Sequence, residues 1–209
     1  MGVQERRARE KKELRQEILD AARDLFVREG FENVSMRKIA EKIEYSPTTI
    51  YLYFRDKSDL LDCIIEETFS RLVRKQTLLE QTVADPVERL EKGLRSYIQF
   101  RLKHPNHYKV TFMMPEPPVT DPELCPRSRE MGQKAFANLR NMLAECVERN
   151  LIEIQDLEAT AQALWAAAHG LTSLMIAKPH YKWADRTHLI DLLLGTMMRG
   201  LNAKAPVAA

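Results

Sequence analysis

Thr48, Thr49 and Leu52 lie within five positions of one another, with Pro47, Tyr51 and Tyr53 beside them and Lys57 close behind. Side chains of these types suit non-covalent reading of a duplex. Threonine hydroxyls can donate to or accept from base edges, and a branched aliphatic group can meet a thymine methyl. Phenol hydroxyls and an ammonium suit phosphates, which set position rather than sequence. Bond-making chemistry has no comparable pattern. His104, His107, His169, His180 and His188 form no HExxH pair, the paired Glu-x-x-His of a di-iron bundle is missing, and neither a Gly-rich phosphate loop nor a GxSxG elbow occurs. Cys63, Cys125 and Cys146 are odd in number, widely spaced and outside any CxxC pattern, so they read as buried free thiols rather than a disulfide framework or zinc site. No catalytic residue, metal or cofactor is expected, and the chain is not read as an enzyme.

Residues 34–60 must position this set. Ser35, Ser46 and Ser58 each precede a short apolar-periodic run, where a serine can accept from an orphaned first-turn N–H. Val34 with Ile39, and Tyr45 with Ile50, have the N′ to N4 spacing of a hydrophobic staple, and Pro47 stands at N1. The spacing predicts a helix over 36–43, a turn at Glu44 and Tyr45, and a helix over 47–53, with Ala40 small enough for a close crossing. On a helical wheel Ile50 and Phe54 point inward; Thr48, Thr49 and Leu52 point outward; Pro47, Tyr51 and Tyr53 flank them. That is a helix-turn-helix whose second helix suits a major groove. The expected DNA-facing set is Ser35, Arg37, Ser46, Pro47, Thr48, Thr49, Tyr51, Leu52, Tyr53 and Lys57.

The run from Tyr45 to Leu61, Y-S-P-T-T-I-Y-L-Y-F-R-D-K-S-D-L-L, resembles the DNA-binding signature of TetR/AcrR-type bacterial transcriptional regulators. Ser35-Met36-Arg37-Lys38-Ile39-Ala40 and the upstream Ala22-x-x-Leu25-Phe26 fall in the same register, so the likeness covers roughly residues 14–61. Thr48 stands where the family often has glycine and Leu52 where it often has histidine. Both lie on the face assigned to the bases, so the operator cannot be borrowed from a relative. Trp165-Ala166-Ala167-Ala168-His169-Gly170 also resembles the Trp-x-x-x-His-Gly signature of one group of C-terminal domains in this family. The resemblance implies a ligand-responsive dimeric regulator, a repressor, that binds a palindromic operator and is released by a small, largely apolar effector.

The composition, 44% hydrophobic and 30% charged over 209 residues, is that of a soluble globular chain able to bury a full core. Residues 164–177 are interrupted by His169, Thr172 and Ser173 and are too short to span a bilayer. The charged N-terminus lacks the apolar segment of a signal peptide, so a cytoplasmic location is expected, with no membrane partner. Net charge is only +2, and residues 1–57 hold all of it, with 13 Lys or Arg against 11 Asp or Glu. DNA affinity would have to come from where cations point, not from bulk charge. The low charge keeps open a helical interaction module without DNA affinity.

Residues 1–13 are expected as a charged flexible arm, either a solvated helix extension or a basic arm reaching phosphates or the minor groove. Residues 14–57 form the expected DNA-binding domain, 58–203 a helical regulatory and dimerisation domain, and 204–209 a tail. Leu14, Ile18, Ala21, Ala22, Leu25 and Phe26 make an amphipathic helix ended by Gly30. A long helix starts at Ser58, another follows the capping box at Asp85 with proline at N1, and His104-Pro105 stops it. Five of the ten prolines fall in 115–126, which cannot be helical throughout. Helices then end near Asn150, run from Asp156 to Lys178, and begin again near Asp185. No strand pattern appears, so the class is all-α.

The last of these helices is apolar around most of its girth, and its predecessor carries Ala166, Ala167, Ala168 and Gly170. Both could pack centrally in one monomer or pair with symmetry copies in a four-helix interface. The expected interface is Trp165, Gly170, Leu174, Leu189, Leu193 and Met197. Tyr97, Phe100, Tyr108, Phe112, Met113, Met131, Phe136, Trp165 and His169 could line an adaptable effector pocket or be ordinary core. For His169 a core hydrogen bond competes with ligand contact.

Overall fold

The structure is a computed structural model that describes residues 2–113 and 126–202. Among these residues it holds nine α-helices, one π-helical turn and no strand. In order they are α1 (Val3–Glu29), α2 (Met36–Lys42), α3 (Pro47–Tyr51), α4 (Lys57–Thr82), α5 (Pro86–Lys103), α6 (Pro105–Tyr108), the π turn Lys109–Met113, α7 (Pro126–Glu148), α8 (Leu157–Ala177) and α9 (Arg186–Asn202). The proline-rich stretch 115–125 and Cys125 lie outside the described residues.

The chain divides into two compact units, Met1–Phe69 with Asn106–Met131, and Ser70–Pro105 with Gly132–Ala209. The division falls inside α4, after Phe69, whereas the sequence pattern suggests a boundary after Lys57. Residues 106–113 and 126–131 join the N-terminal unit for a packing reason. Val110 lies in its core, and buried His107 meets the Thr68 hydroxyl through Nδ1 at 2.9 Å.

In the N-terminal unit α1 buries Ile18, Leu19, Ala22, Leu25 and Phe26 on one stripe. The stripe packs with Val34, Ile39, Ala40, Ile50, Phe54, Leu60 and Ile64. Gly30 ends α1 at φ 81°, a conformation costly for any residue with a Cβ. Residues 3–13 are the opening turns of α1 rather than a separate arm, laced by Arg6–Glu10 and Arg9–Glu13 pairs at 3.5 and 3.8 Å. Such pairs one turn apart let a stretch with no apolar stripe stay helical.

In the C-terminal unit α5 packs against α8 and α9. Its inner face is Leu90, Leu94, Tyr97 and Ile98, with Gly93 allowing close approach: a Cβ there would stand 3.2 Å from the Met142 methyl. The facing residues are Ala161, Leu164, Ala168 and Met175 on α8, with Ile190, Leu194 and Met198 on α9. Asp85, Asp156 and Asp185 cap α5, α8 and α9, each accepting from the N–H three residues on at 2.8 to 2.9 Å. Cys63 and Cys146 are buried free thiols; burial raises both, Cys146 to about 11, so both stay protonated near neutrality.

Candidate nucleic-acid interface and effector cluster

The short helices α2 and α3 are held by their caps. Ser35 Oγ accepts from the Lys38 N–H and Ser46 Oγ from the Thr49 N–H, both at 3.2 Å. Pro47 is the first residue of α3. Between the helices Glu44 turns the chain at φ 60°, in the left-handed region. The helix predicted over 47–53 is helical only to Tyr51, with Leu52 as its C-cap, and that predicted over 36–43 ends at Lys42. Ser58 does not cap α4. Asp56 does, through its carboxylate and the Asp59 N–H at 2.8 Å, since an anionic acceptor two residues earlier reaches the same orphan donors.

Ile50 and Phe54 are buried, while Thr48, Tyr51 and Leu52 face outward, Leu52 with 75% of its surface exposed and Tyr51 with 55%. Ser46 and Pro47 share that exposed edge, as does Tyr45, which the sequence assigns to a staple. Thr49 is half-buried, its hydroxyl 2.9 Å from that of Ser46. Tyr53 packs against the core. Arg37 is exposed and paired with Glu41 at 3.0 Å. Lys57 is an anchor: its ammonium donates to the Phe31 carbonyl at 2.7 Å and lies 4.2 Å from the Phe31 ring centre. Two ammonium hydrogens remain for a phosphate.

Behind this edge lies an ionic cluster that sequence reasoning missed. Arg127, in the first turn of α7, donates from Nε to Asp62 at 2.9 Å, pairs with Asp59 and lies 3.7 Å from Glu66. Asp62, 2% exposed at its side chain, also accepts from the Ser128 N–H at 2.9 Å. Asp59 in turn accepts from the Arg55 N–H at 3.0 Å, just past the end of α3. Burial alone would raise the Asp59 carboxyl; the Arg55 N–H and Arg127 outweigh it and hold the group below its ordinary 3.8. The available signal was Asp59-x-x-Asp62 on the buried side of an otherwise apolar stripe.

The residues predicted to line an effector pocket are divided between the two units. Tyr108, Phe112, Met113 and Met131 belong to the N-terminal unit, where Phe112 meets Tyr108 and Phe69 with ring centres 5.4 and 5.9 Å apart. Tyr97, Phe100, Phe136, Trp165 and His169 belong to the C-terminal unit. There Trp165 Nε1 donates to the Tyr97 hydroxyl at 3.3 Å, and that hydroxyl lies 3.0 Å from His169 Nδ1. Phe136 and His169 approach the Trp165 ring edgewise, at 6.1 and 5.8 Å. Burial lowers the His169 pKa and the nearby Arg101 lowers it further, so the imidazole is neutral near pH 7. A neutral ring accepting at Nδ1 completes a chain from the Trp165 N–H through the Tyr97 hydroxyl to His169. Arg101, fully buried with its guanidinium carbon 5.1 Å from the Tyr97 ring centre, was also missed. It continues the stripe Leu90, Leu94, Tyr97, and that spacing was its signal.

Of the residues predicted to meet a second copy, Trp165 and Leu174 are exposed, at 39% and 52%, while Gly170, Leu189, Leu193 and Met197 are half-buried. Leu192, beside them on α9, is 53% exposed. A Cβ built on Gly170 meets nothing within 4 Å.

Residues 18–64 match the profile of bacterial regulatory proteins of the tetR family. Residues 90–197, more than half of the chain, match the profile of the tetracyclin repressor-like C-terminal domain. The chain belongs to the TetR family. An HTH-type transcriptional regulator of Staphylococcus aureus (strain MRSA252) is 32% identical over 93 residues, 44% of this chain and 50% of that protein. The chain thus spans about half the length of the curated relatives it matches. Solved TetR-like structures share the whole fold. The fatty acid degradation regulator FadR of Bacillus halodurans has a TM-score of 0.76 at 22% identity, covering 91% of this chain and 97% of its own. FadR of Bacillus subtilis, solved in complex with stearoyl-CoA, has a TM-score of 0.77 at 20% identity, covering 88% and 98%. As in these proteins, an N-terminal helix-turn-helix is joined to a helical C-terminal region. Among the described residues no helix is long and apolar enough to cross a membrane, and no group of His, Cys, Asp and Glu is arranged to hold a metal ion.

Proposed function

We propose that this TetR-family regulator is a dimeric, ligand-responsive repressor that acts in the cytoplasm on a palindromic operator. The observation that carries the reading is the outer face of α3, where Leu52 and Tyr51 are exposed on a helix fixed by the Ser46 cap and a buried Ile50. Leaving a leucine 75% exposed beside two threonines costs apolar burial and is offset when the face meets base edges and thymine methyls. Thr48, Thr49 and Leu52 are assigned to bases. Ser35, Arg37, Ser46, Pro47, Tyr51, Tyr53 and Lys57 are assigned to the backbone or to shaping the edge.

One such helix reads too few base pairs alone. Exposed Trp165, Leu174 and Leu192, with half-buried Gly170, Leu189, Leu193 and Met197, support pairing of α8 and α9 with a second copy. A two-fold dimer reads two inverted half-sites. For the effector, the neutral Tyr97–Trp165–His169 chain with Phe136 supports an apolar ligand whose polar end exchanges hydrogen bonds with Tyr97 and His169. The complex of Bacillus subtilis FadR with stearoyl-CoA shows that this fold can take a long acyl chain. Such a ligand acts through α4, a single helix from Lys57 to Thr82, if it favours one of two arrangements of that helix.

Selection from random duplex DNA with the purified full chain should yield an inverted repeat, and its mass in solution should be that of two copies. A Leu52→Ala variant should change the preferred bases within each half-site by about 1 to 3 kcal/mol per altered pair, leaving half-site spacing intact. An unchanged motif would remove Leu52 from the base-reading set, and a monomer that binds a single half-site would end the dimeric reading.

A further inference from the structure

The C-terminal unit carries a concavity separate in composition from the Tyr97 cluster. We propose that it binds the polyphosphate part of a small molecule of the nucleoside di- or triphosphate class. Its walls are Arg71, Arg74, Lys75 and Leu78 from α4 and Phe100, Lys103 and His104 from the end of α5, around about 400 Å³, within the size range of ligand sites. Arg71, Arg74 and Lys75 fall at i, i+3 and i+4 and so share one helix face. Lys103 and His104 approach from the other wall. Lys75 lies 5.4 Å from the centre of the Phe100 ring, and the His104 imidazole 4.9 Å, which holds both against an apolar floor.

Among the described residues, cations without a carboxylate partner occur elsewhere in this unit, at Lys134, Lys178, Lys182, Arg186 and Arg199, but in this groove several such cations converge. Elsewhere in the same unit Lys92, Arg95, Arg140 and Arg149 each have a carboxylate partner, at 2.7 to 3.2 Å. Among the described residues, no carboxylate pairs with Arg74, Lys75 or Lys103, the three exposed cations of the groove. A helix C-terminus favours Lys103 without any ligand. That reason does not extend to Arg71, Arg74 and Lys75, which lie mid-helix in α4. Arg74, Lys75 and Lys103, none with a carboxylate partner, converge with Arg71 on one small volume, more positive charge than a single carboxylate neutralises and a match for a di- or triphosphate. Two of them are guanidinium forks, the geometry suited to phosphate oxygens. Exposed Leu78 and the half-buried His104 ring offer a surface for a planar base at the groove's rim. The cations are gathered around one open groove instead of strung along a track, which favours a compact polyanion over a duplex backbone.

The proposal does not rest on the effector reading of the Tyr97 cluster. Titration calorimetry of the full chain with ATP, sodium pyrophosphate and adenosine tests it. Wild type should bind ATP and pyrophosphate, and adenosine far more weakly. A double variant, Arg74→Gln with Lys103→Gln, should bind ATP at least about tenfold more weakly, as loss of two partly exposed charge contacts implies, with unchanged thermal unfolding. Lys92→Gln, which removes a paired lysine of the same unit, should leave ATP affinity as it was. The proposal is overturned if wild type binds neither ATP nor pyrophosphate, if adenosine binds as tightly as ATP, or if the double variant keeps wild-type ATP affinity. It is equally overturned if the double variant loses affinity for random duplex while still binding ATP normally, since the groove would then serve DNA phosphates.

Discussion

In the N-terminal unit a single guanidinium, Arg127, stands among three carboxylates, Asp59, Asp62 and Glu66. In the C-terminal unit the guanidinium of Arg101 lies beside a chain of neutral partners, Trp165, Tyr97 and His169. The first arrangement is ionic, and one of its carboxylates is almost wholly buried, so removing a partner leaves a charge with no water to replace it. In the second the Tyr97 hydroxyl and the His169 imidazole can each donate or accept, the Trp165 indole only donates, and Trp165 and His169 are only partly enclosed. An ionic clamp fixes geometry; a neutral chain can trade a partner for a ligand atom at small cost. The clamp sits against the residue following the base-facing helix, where fixed geometry matters. The chain sits among aromatic rings, where exchange matters.

This contrast can be broken most directly at Arg127. Arg127→Leu should destabilise the protein by about 3 kcal/mol, the low end for a buried pair because the arginine itself is partly exposed, measured by urea unfolding. Adding Asp62→Asn should recover part of that loss; a single variant as stable as wild type would mean that the carboxylates are hydrated without Arg127. Tyr97→Phe should cost less, about 1 to 2 kcal/mol, since it strands the Trp165 N–H and His169 Nδ1 beside some solvent. A loss as large as that at Arg127 would erase the proposed difference between the two clusters.

The smallest effect is expected from pH. The folded His169 resists protonation, whereas the unfolded ring takes a proton at its ordinary 6.5. Its contribution to stability is therefore complete above that value and declines as pH falls below it towards the lowered folded pKa. His169→Asn, with a carbonyl to accept where Nδ1 did, should flatten the slope of stability between neutral and mildly acidic pH. A slope unchanged in that variant would assign the acid sensitivity to other groups.

The helix-turn-helix was legible in the sequence because its signals are local. Ser35, Ser46 and Pro47 act within one turn, and the Ile50 to Phe54 spacing marks the buried face without reference to any distant residue. Helix ends were less legible. Leu52 closes α3 because the chain must turn to bring Phe54 inward, and Asp56 caps α4 because a carboxylate two residues earlier competes with Ser58. The clamp was hidden for a different reason: Asp62 and Arg127 are joined across 65 positions, so the spacing of Asp59 and Asp62 marks a charged spot on the stripe without naming its partner. The division of the aromatic list between the units was hidden similarly. Tyr97 and Tyr108 differ by eleven positions yet fall in different units, because His107 and Val110 anchor the intervening segment beside α1 and α4.

The hydroxyl of Thr49 carries a consequence of its own. By sharing a proton with Ser46, it is locked in one rotamer before any duplex arrives, and the residue that starts the helix also aims one of its readers. Less side-chain entropy then has to be surrendered on encounter, so a mismatched site is rejected by geometry instead of being accommodated by a swivelling side chain. Natural variation at the serine would accordingly alter taste for sequence as well as stability, although that side chain need never touch a base.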